Sequence, residues 1–225
     1  MKGITRLVIA GSLMVFVLSP LFSQDSTYEH ESDHYRVISE IGRDHALQTA
    51  NRLEAMLSLY NRTFRYPLEE LETPLRVRIF ATKARYDAYL RRLVNESRHG
   101  FVYLHYRDLA KSELVGYYTD DASLDQSMIH QSFVQYFRAF IPNPPLWLRE
   151  GFAVYYETSI YDPEFGTAIY HENLAWLDPL KEILRGTAVE TVIPLDAMLT
   201  MNVDEARAQL VEAVDDEIIL LEIVD

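Results

Sequence analysis

The 225-residue sequence contains no cysteine, which excludes disulfide-stapled folds and lipid anchors that use a thiol. It has only eight glycines and nine prolines, too few for a collagenous or low-complexity chain. Basic residues number 21 against 34 acidic ones, a net charge of -13. A surface of that sign repels phosphate backbones and anionic lipid headgroups. With 48% hydrophobic residues, the chain is predicted to be globular and to bind no nucleic acid.

The first 24 residues differ in composition from the rest of the chain. Lys2 and Arg6 precede a charge-free apolar run from Leu7 to Phe22, which is too short to span a bilayer comfortably. This order predicts a secretory signal peptide over residues 1–24 and an exported protein, periplasmic or extracellular. A cysteine-free exported domain fits a bacterial envelope. An uncleaved signal anchor is the alternative, and no other membrane contact is expected.

The remainder of the sequence predicts one domain followed by a charged tail. No repeat and no low-complexity linker interrupts residues 25–201, which we interpret as a single domain. Residues 202–225 hold eight acids and one arginine, and we expect an acidic C-terminal tail without an assigned role.

The spacing of apolar residues predicts an α+β fold, with a small twisted sheet packed on helices. Apolar residues recur at helical spacing in some segments and alternate with polar ones in others. We expect strands at 35–39, 75–80, 101–106 and 113–118, the last two antiparallel, and helices at 43–64, from Thr82 to about 93, and at 122–140, 145–160, 167–185 and 193–201.

Two neighbouring predicted helices carry an informative pair of motifs. The first contains His130-Gln131-Ser132-Phe133-Val134, and the second begins with Trp147-Leu148-Arg149-Glu150-Gly151-Phe152-Ala153. Together they resemble the gluzincin zinc metallopeptidases and, over residues 35–200, the peptidase MA-like domain. In that clan one helix carries H-E-x-x-H, whose histidines bind zinc while the glutamate activates water. A second helix supplies a glutamate ligand within W-L-x-E-G-x-A. The resemblance implies a zincin-like fold.

The motif of this chain departs from the active pattern at two positions. The resemblance implies that His130 and Glu150 occupy the first and third zinc-ligand positions. Gln131 stands at the general-base position and Val134 at the second-histidine position. A neutral amide accepts no proton from metal-bound water, and valine offers no lone pair. We therefore expect vestigial ligand positions, no catalytic residue and no bound cofactor.

The resemblance implies an exported peptidase MA-like protein that is catalytically inactive and retains a cleft for a peptide or an envelope protein. In active relatives an extended peptide lies along the edge strand of the sheet. Trp147 and Tyr155 are candidate cleft residues on the second motif helix. Glu150 stands between apolar neighbours, so we expect it to pair with His130 or an arginine.

Two other interpretations stay open. An active zinc metallopeptidase would use non-standard ligands around His130 and Glu150, or the literal H-E-x-x-H string His30-Glu31-Ser32-Asp33-His34. The context of that string is unfavourable, because it includes Asp33 and runs directly into a predicted strand. A purely structural envelope protein would bind neither zinc nor a ligand. Bound zinc distinguishes the active enzyme from both other interpretations.

Overall fold

A computed structural model describes residues 27–95, 98–119, 122–186, 194–202 and 204–205. The predicted signal peptide at 1–24 and residues 206–225 of the predicted acidic tail lie outside these described residues. Within the described part of the chain, no helix combines the length and apolarity needed to cross a membrane.

The described elements form an α+β arrangement of helices around a mixed sheet. In chain order they are β1 (Tyr28–Glu31), β2 (Tyr35–Ser39), α1 (Arg43–Phe64), β3 (Leu75–Phe80), α2 (Lys83–Leu93), β4 (Val102–Leu104), β5 (Glu113–Tyr117), α3 (Ala122–Phe140), α4 (Leu146–Tyr156), β6 (Ile160–Asp162), β7 (Thr167–Ile169), α5 (Leu177–Arg185) and α6 (Leu195–Thr200).

The main sheet has five strands in the order β1-β2-β3-β5-β4. The three central strands β2, β3 and β5 are parallel, whereas β1 and β4 are antiparallel edge strands. Val37, Val77, Leu114 and Tyr103 stand in register across four strands, and all four are buried on one face. Because side chains alternate along a strand, Arg76 and Arg78 point to the opposite face.

Helices α1 and α3 cover one face of the sheet with an aromatic core. Tyr60 of α1 packs edge-on against Phe133 of α3, with ring centroids 5.3 Å apart. The Tyr60 hydroxyl donates to the backbone oxygen of Ile129 and also contacts Ser132 Oγ, so its polar atom is satisfied while its ring is fully buried. Helix α2 covers the other face through Tyr86 and Leu90.

Most predicted elements are present in the structure. Strands 35–39 and 75–80 and helices 43–64 and 122–140 have the predicted bounds, and β4 and β5 form the predicted antiparallel pair. The Thr82 side chain accepts a hydrogen bond from the Arg85 backbone nitrogen and caps α2 as expected.

The prediction of one helix over 167–185 is wrong. Residues 160–162 and 167–169 form the antiparallel hairpin β6–β7, and the helix begins only at Leu177. The hairpin turns where Asp162 Oδ1 accepts from the backbone nitrogens of Glu164 and Phe165, and Gly166 has φ 62°. The strands of this hairpin have three residues each, too few to show an alternation of apolar and polar residues. The turn residues Asp162 and Gly166, in contrast, are a signal that the sequence contained.

Smaller differences concern the ends of elements. Strand β4 covers only 102–104 of the predicted 101–106, and α4 ends at Tyr156 rather than near 160. The edge strand β1 was not predicted, because its sequence Tyr-Glu-His-Glu is mostly exposed and lacks an apolar alternation.

The close contact between Phe101 and Gly116 generates a stability prediction. A Cβ atom at Gly116 of β5 would overlap the Phe101 ring, so Gly116→Ala is expected to lower the free energy of unfolding by about 1–3 kcal/mol. Gly151 of α4 is the matched control, because a Cβ atom there would meet no atom within 4 Å apart from its chain neighbours and the backbone of its own helix. Gly151→Ala should be neutral or stabilising by up to about 1 kcal/mol. Urea unfolding of both variants checks this, and equal stabilities would contradict it.

Candidate functional site

The two motif helices are packed against each other by a proline-rich turn. Helix α3 ends at Phe140, and Pro142, Pro144 and Pro145 interrupt helical hydrogen bonding before α4 starts at Leu146. The reversal places the face of α3 that carries the first motif against the face of α4 that carries the second. The site therefore consists of side chains from two consecutive helices.

His130 of α3 lies between two carboxylates from the α4 segment. Its Nε2 is 3.3 Å from Glu150 Oε2, and its Nδ1 is 3.1 Å from Glu157 Oε2. The buried Arg149 Nε donates to the other oxygen of Glu150 at 2.6 Å. The side chains of His130, Glu150 and Glu157 are 19%, 28% and 23% exposed. The structure thus brings His130 and Glu150 together.

The contact of Glu157 with His130 was not predicted from the sequence. Glu150 and Glu157 are seven residues apart, which is two helical turns and puts both carboxylates on the same face. That spacing was the available signal. Glu157 follows the last residue of α4 and keeps right-handed helical geometry, so its side chain continues the same face.

The electrostatics of this cluster favour a charged imidazole. Burial by itself would lower the pKa of His130, but hydrogen bonds and charge from Glu150 and Glu157 outweigh burial and raise it to about 9. Burial would likewise raise the pKa of Glu150, and the bond from His130 with the charge of Arg149 lowers it overall. The cluster is an imidazolium between two carboxylates, with a guanidinium beside one of them.

Part of this geometry fits zinc, and part of it does not. Two ligands 2.0–2.1 Å from a tetrahedral zinc ion are roughly 3.3 Å apart, which matches the distance between His130 Nε2 and Glu150 Oε2. Glu157 on Nδ1 corresponds to the carboxylate that often orients a ligating histidine. Val134, however, is a buried side chain without a donor atom. No group of three or more metal-binding side chains converges among the described residues.

Gln131 lies beneath the edge strand β4 and bonds to its backbone. Its Oε1 accepts from the Tyr103 backbone nitrogen at 3.3 Å. One turn earlier, Ser127 Oγ accepts from the Phe101 nitrogen at 2.8 Å and also contacts the Phe101 oxygen at 3.5 Å. These two side chains of α3 thus bond to backbone nitrogens of β4 and of the residue just before it. A peptide that added to the sheet at Phe101 and Tyr103 would have to displace them.

The two candidate cleft residues are both exposed on α4. Trp147 is 36% exposed and Tyr155 is 47% exposed. Tyr155 stacks on Tyr170, which follows β7, with ring centroids 4.4 Å apart and an angle of 19° between the planes. This pair forms an aromatic surface two residues from Glu157.

The literal H-E-x-x-H string lies on a strand and a turn rather than on a helix. His30 and Glu31 are consecutive residues of β1, so their side chains point to opposite faces of the sheet. His34 Nδ1 is 2.8 Å from Glu54 Oε2 of α1, and the other oxygen of Glu54 accepts from Ser32 Oγ and the His34 backbone nitrogen. The spacing that places two imidazoles on one helical face is therefore absent here.

Comparisons with known proteins give no assignment: no protein-family model matches this chain, and no curated protein matches it. The described residues define an α+β domain with a mixed sheet and an ion-paired site between two helices.

The His130 cluster should make stability depend on pH. Because the pKa of His130 is raised in the folded state, its stabilisation is full below about pH 6.5 and is lost as pH rises through about 9. A rise from 6.5 to about 9 corresponds to roughly 3 kcal/mol. We expect His130→Gln to be much less stable than the parent at about pH 6, with the gap closing by about pH 10.

Chemical denaturation of both proteins across this pH range checks the prediction. A gap that stays constant or widens with rising pH would show that the imidazolium form does not stabilise the fold.

Proposed function

We propose that this chain is an exported, catalytically inactive protein with a gluzincin-like fold, and that its cleft beside α4 binds a peptide or an envelope protein. The observation that carries the proposal is the pairing of His130 with Glu150 from two consecutive helices, at a distance suited to zinc but without the remaining donors. A charged imidazole takes the electrostatic role that a cation would have between these carboxylates.

The arrangement of the edge strand supports the gluzincin-like part of the proposal. In active relatives of the clan that the motifs resemble, an extended peptide lies along the edge strand of the sheet. Gln131 bonds to the backbone of β4, the antiparallel edge strand next to α3. The residue at the implied general-base position thus lies next to the edge strand along which the resemblance places the peptide.

The chemistry of the site supports the loss of catalysis. Val134 supplies no ligand, and the Gln131 amide accepts no proton. The His130 nitrogen that faces Glu150 is engaged in an ion pair, so zinc would have to displace a proton held with a pKa of about 9. These features together disfavour the alternative of a working metallopeptidase around His130 and Glu150.

Aromatic exposure on α4 supports a binding role over a purely structural one. Tyrosine and tryptophan side chains are enriched at recognition surfaces, and the rings of Tyr155 and Tyr170 stack with centroids 4.4 Å apart. Because Ser127 and Gln131 bond to the backbone at and just before β4, we infer that the peptide is held chiefly through side-chain contacts with Trp147 and Tyr155.

Restoring the zinc motif tests the alignment of the two helices. Gln131→Glu with Val134→His rebuilds H-E-x-x-H opposite Glu150, and the folded double variant should retain zinc through dialysis while the parent does not. Val134→His alone should recover part of the affinity, and Gln131→Glu alone should recover none. Glu157→Gln in the double variant should weaken zinc binding by about 10–100-fold. Elemental analysis and zinc titration measure these outcomes.

His130→Ala in the double variant is the control for specific binding, and circular dichroism establishes that each variant is folded. If a folded double variant took up no zinc, the proposed alignment of α3 and α4 would be wrong. Stoichiometric zinc in the parent protein, lost in His130→Ala, would instead support the active metallopeptidase.

Peptide binding tests the proposed cleft. The full chain should bind a fluorescein-labelled insulin B chain, reduced to an extended form, with a saturable change in anisotropy and no cleavage by mass spectrometry. Tyr155→Ala should weaken binding by about fivefold, since a buried aromatic contact contributes roughly 1 kcal/mol. Tyr118→Ala is the matched control, because Tyr118 is also 47% exposed but follows the carboxyl end of β5.

Equal peptide affinities of the parent and Tyr155→Ala would show that Tyr155 is not part of the binding surface. The absence of any binding would favour the structural interpretation.

A further inference from the structure

A cavity of about 620 Å³ lies at the carboxyl ends of the parallel strands, apart from the His130 cluster. Ile79 near the end of β3 and Tyr117 at the end of β5 contribute to its walls. From β3 the chain continues into α2 on one face of the sheet, and from β5 it continues into α3 on the other. Such a divergence opens a crevice that commonly holds ligands. Its volume is within the range of small-molecule sites.

The walls of the cavity combine aromatic rings with uncharged hydrogen-bonding groups. Four aromatic side chains and a methionine provide apolar surface, and amides and hydroxyls from α1 and from the residue after Tyr118 face the same space. The aromatic and apolar members include Phe101, Tyr117, Tyr118, Met128 and Tyr161, and the uncharged polar members are Gln48, Thr49, Asn51 and Thr119.

An ion pair at the cavity limits the charge of any ligand. Arg52 Nη1 donates to Asp125 Oδ1 at 2.8 Å, joining α1 to α3. A carboxylate ligand would be repelled by Asp125, and an ammonium ligand would be repelled by Arg52. A hydroxyl group both accepts and donates, so it suits both members of the pair.

One donor beside the cavity lacks an acceptor. The Nε atom of Arg52 is buried and has no hydrogen-bond partner among the described residues. A buried N–H group without an acceptor is unfavourable by about 1–3 kcal/mol, so an oxygen atom from a ligand or water is expected there. Amides at Gln48 and Asn51 lie four and one residues earlier on α1 and line the same cavity.

His45 adds a further polar group without adding charge. Burial lowers the pKa of His45, so its ring is neutral near pH 7. Its Nδ1 is 3.1 Å from Ser39 Oγ, and its ring packs edge-on against Tyr118 with centroids 5.6 Å apart. This contact steadies one side of the half-exposed Tyr118 ring at the cavity.

We propose that this cavity binds a neutral saccharide, whose ring stacks on Tyr118 and whose hydroxyl groups bond to the Arg52–Asp125 pair. A sugar ring has an apolar C–H face for an aromatic side chain and hydroxyl groups at its rim for amides and ion pairs. A flat heteroaromatic ligand would use the aromatic rings but has fewer hydroxyl groups for Arg52 and Asp125. This site is independent of the proposed peptide cleft.

Calorimetry and saturation-transfer NMR of the full chain test the proposal with glucose, galactose, N-acetylglucosamine and maltose, each up to about 50 mM. At least one should bind saturably. Tyr118→Ala should weaken that binding by about tenfold, and Asp125→Asn by about fivefold. Asp125 is 60% exposed, so Asp125→Asn is expected to fold and serves as the second variant.

Tyr155→Ala should leave saccharide affinity unchanged, because Tyr155 does not line the cavity. Adenine, a neutral heteroaromatic ligand without hydroxyl groups, is the competing probe. The proposal is overturned if no saccharide binds, if binding survives unchanged in both cavity variants, or if only adenine binds. The peptide test depends on Tyr155, whereas the saccharide test depends on Tyr118. A failure of one proposal can therefore be told apart from a failure of the other.

Discussion

The contact of His130 with Glu150 and Glu157 is the constraint on which the interpretation of this fold depends. It connects α3 to α4, the two helices that carry the motif residues on which the proposed function rests. Two partly buried carboxylates without a cation between them would be unfavourable, because they repel each other and have lost part of their hydration. The imidazolium, together with Arg149, neutralises the carboxylates, so the helices can keep this packing without a metal ion.

Side chains of α3 also satisfy backbone hydrogen-bonding groups at the edge strand β4. Ser127 and Gln131, one helical turn apart on α3, bond to the backbone of Phe101, just before β4, and of Tyr103 on β4. An edge strand with open hydrogen-bonding groups invites other strands to pair with it, and these side chains reduce that exposure. Gln131 therefore has a structural role that a glutamate would also fulfil, since either side chain presents an oxygen to the Tyr103 nitrogen.

Individual elements explain why sequence reasoning succeeded in some places and failed in others. The period of α1 and the alternation in β3 span 22 and six residues, so each had enough repeats to be recognised. Strands β6 and β7 have three residues each, and β7 lies in the segment that the sequence predicted to be the start of a helix. In the site, the positions of His130 and Glu150 came from motif resemblance. The contact of Glu157 with His130 was not predicted, because it depends on where α4 ends.

By itself, the sequence determined the main secondary structure and the residue types at the motif positions, because periodicity and chemical identity are local properties. It thereby determined that Val134 offers no ligand and that Gln131 offers no base. Only the tertiary structure decided that both nitrogens of His130 meet carboxylates, that Gln131 bonds to β4, and that a cavity opens between the ends of β3 and β5. Those features join residues 20 or more positions apart, and the packing of helices on the sheet sets their distances.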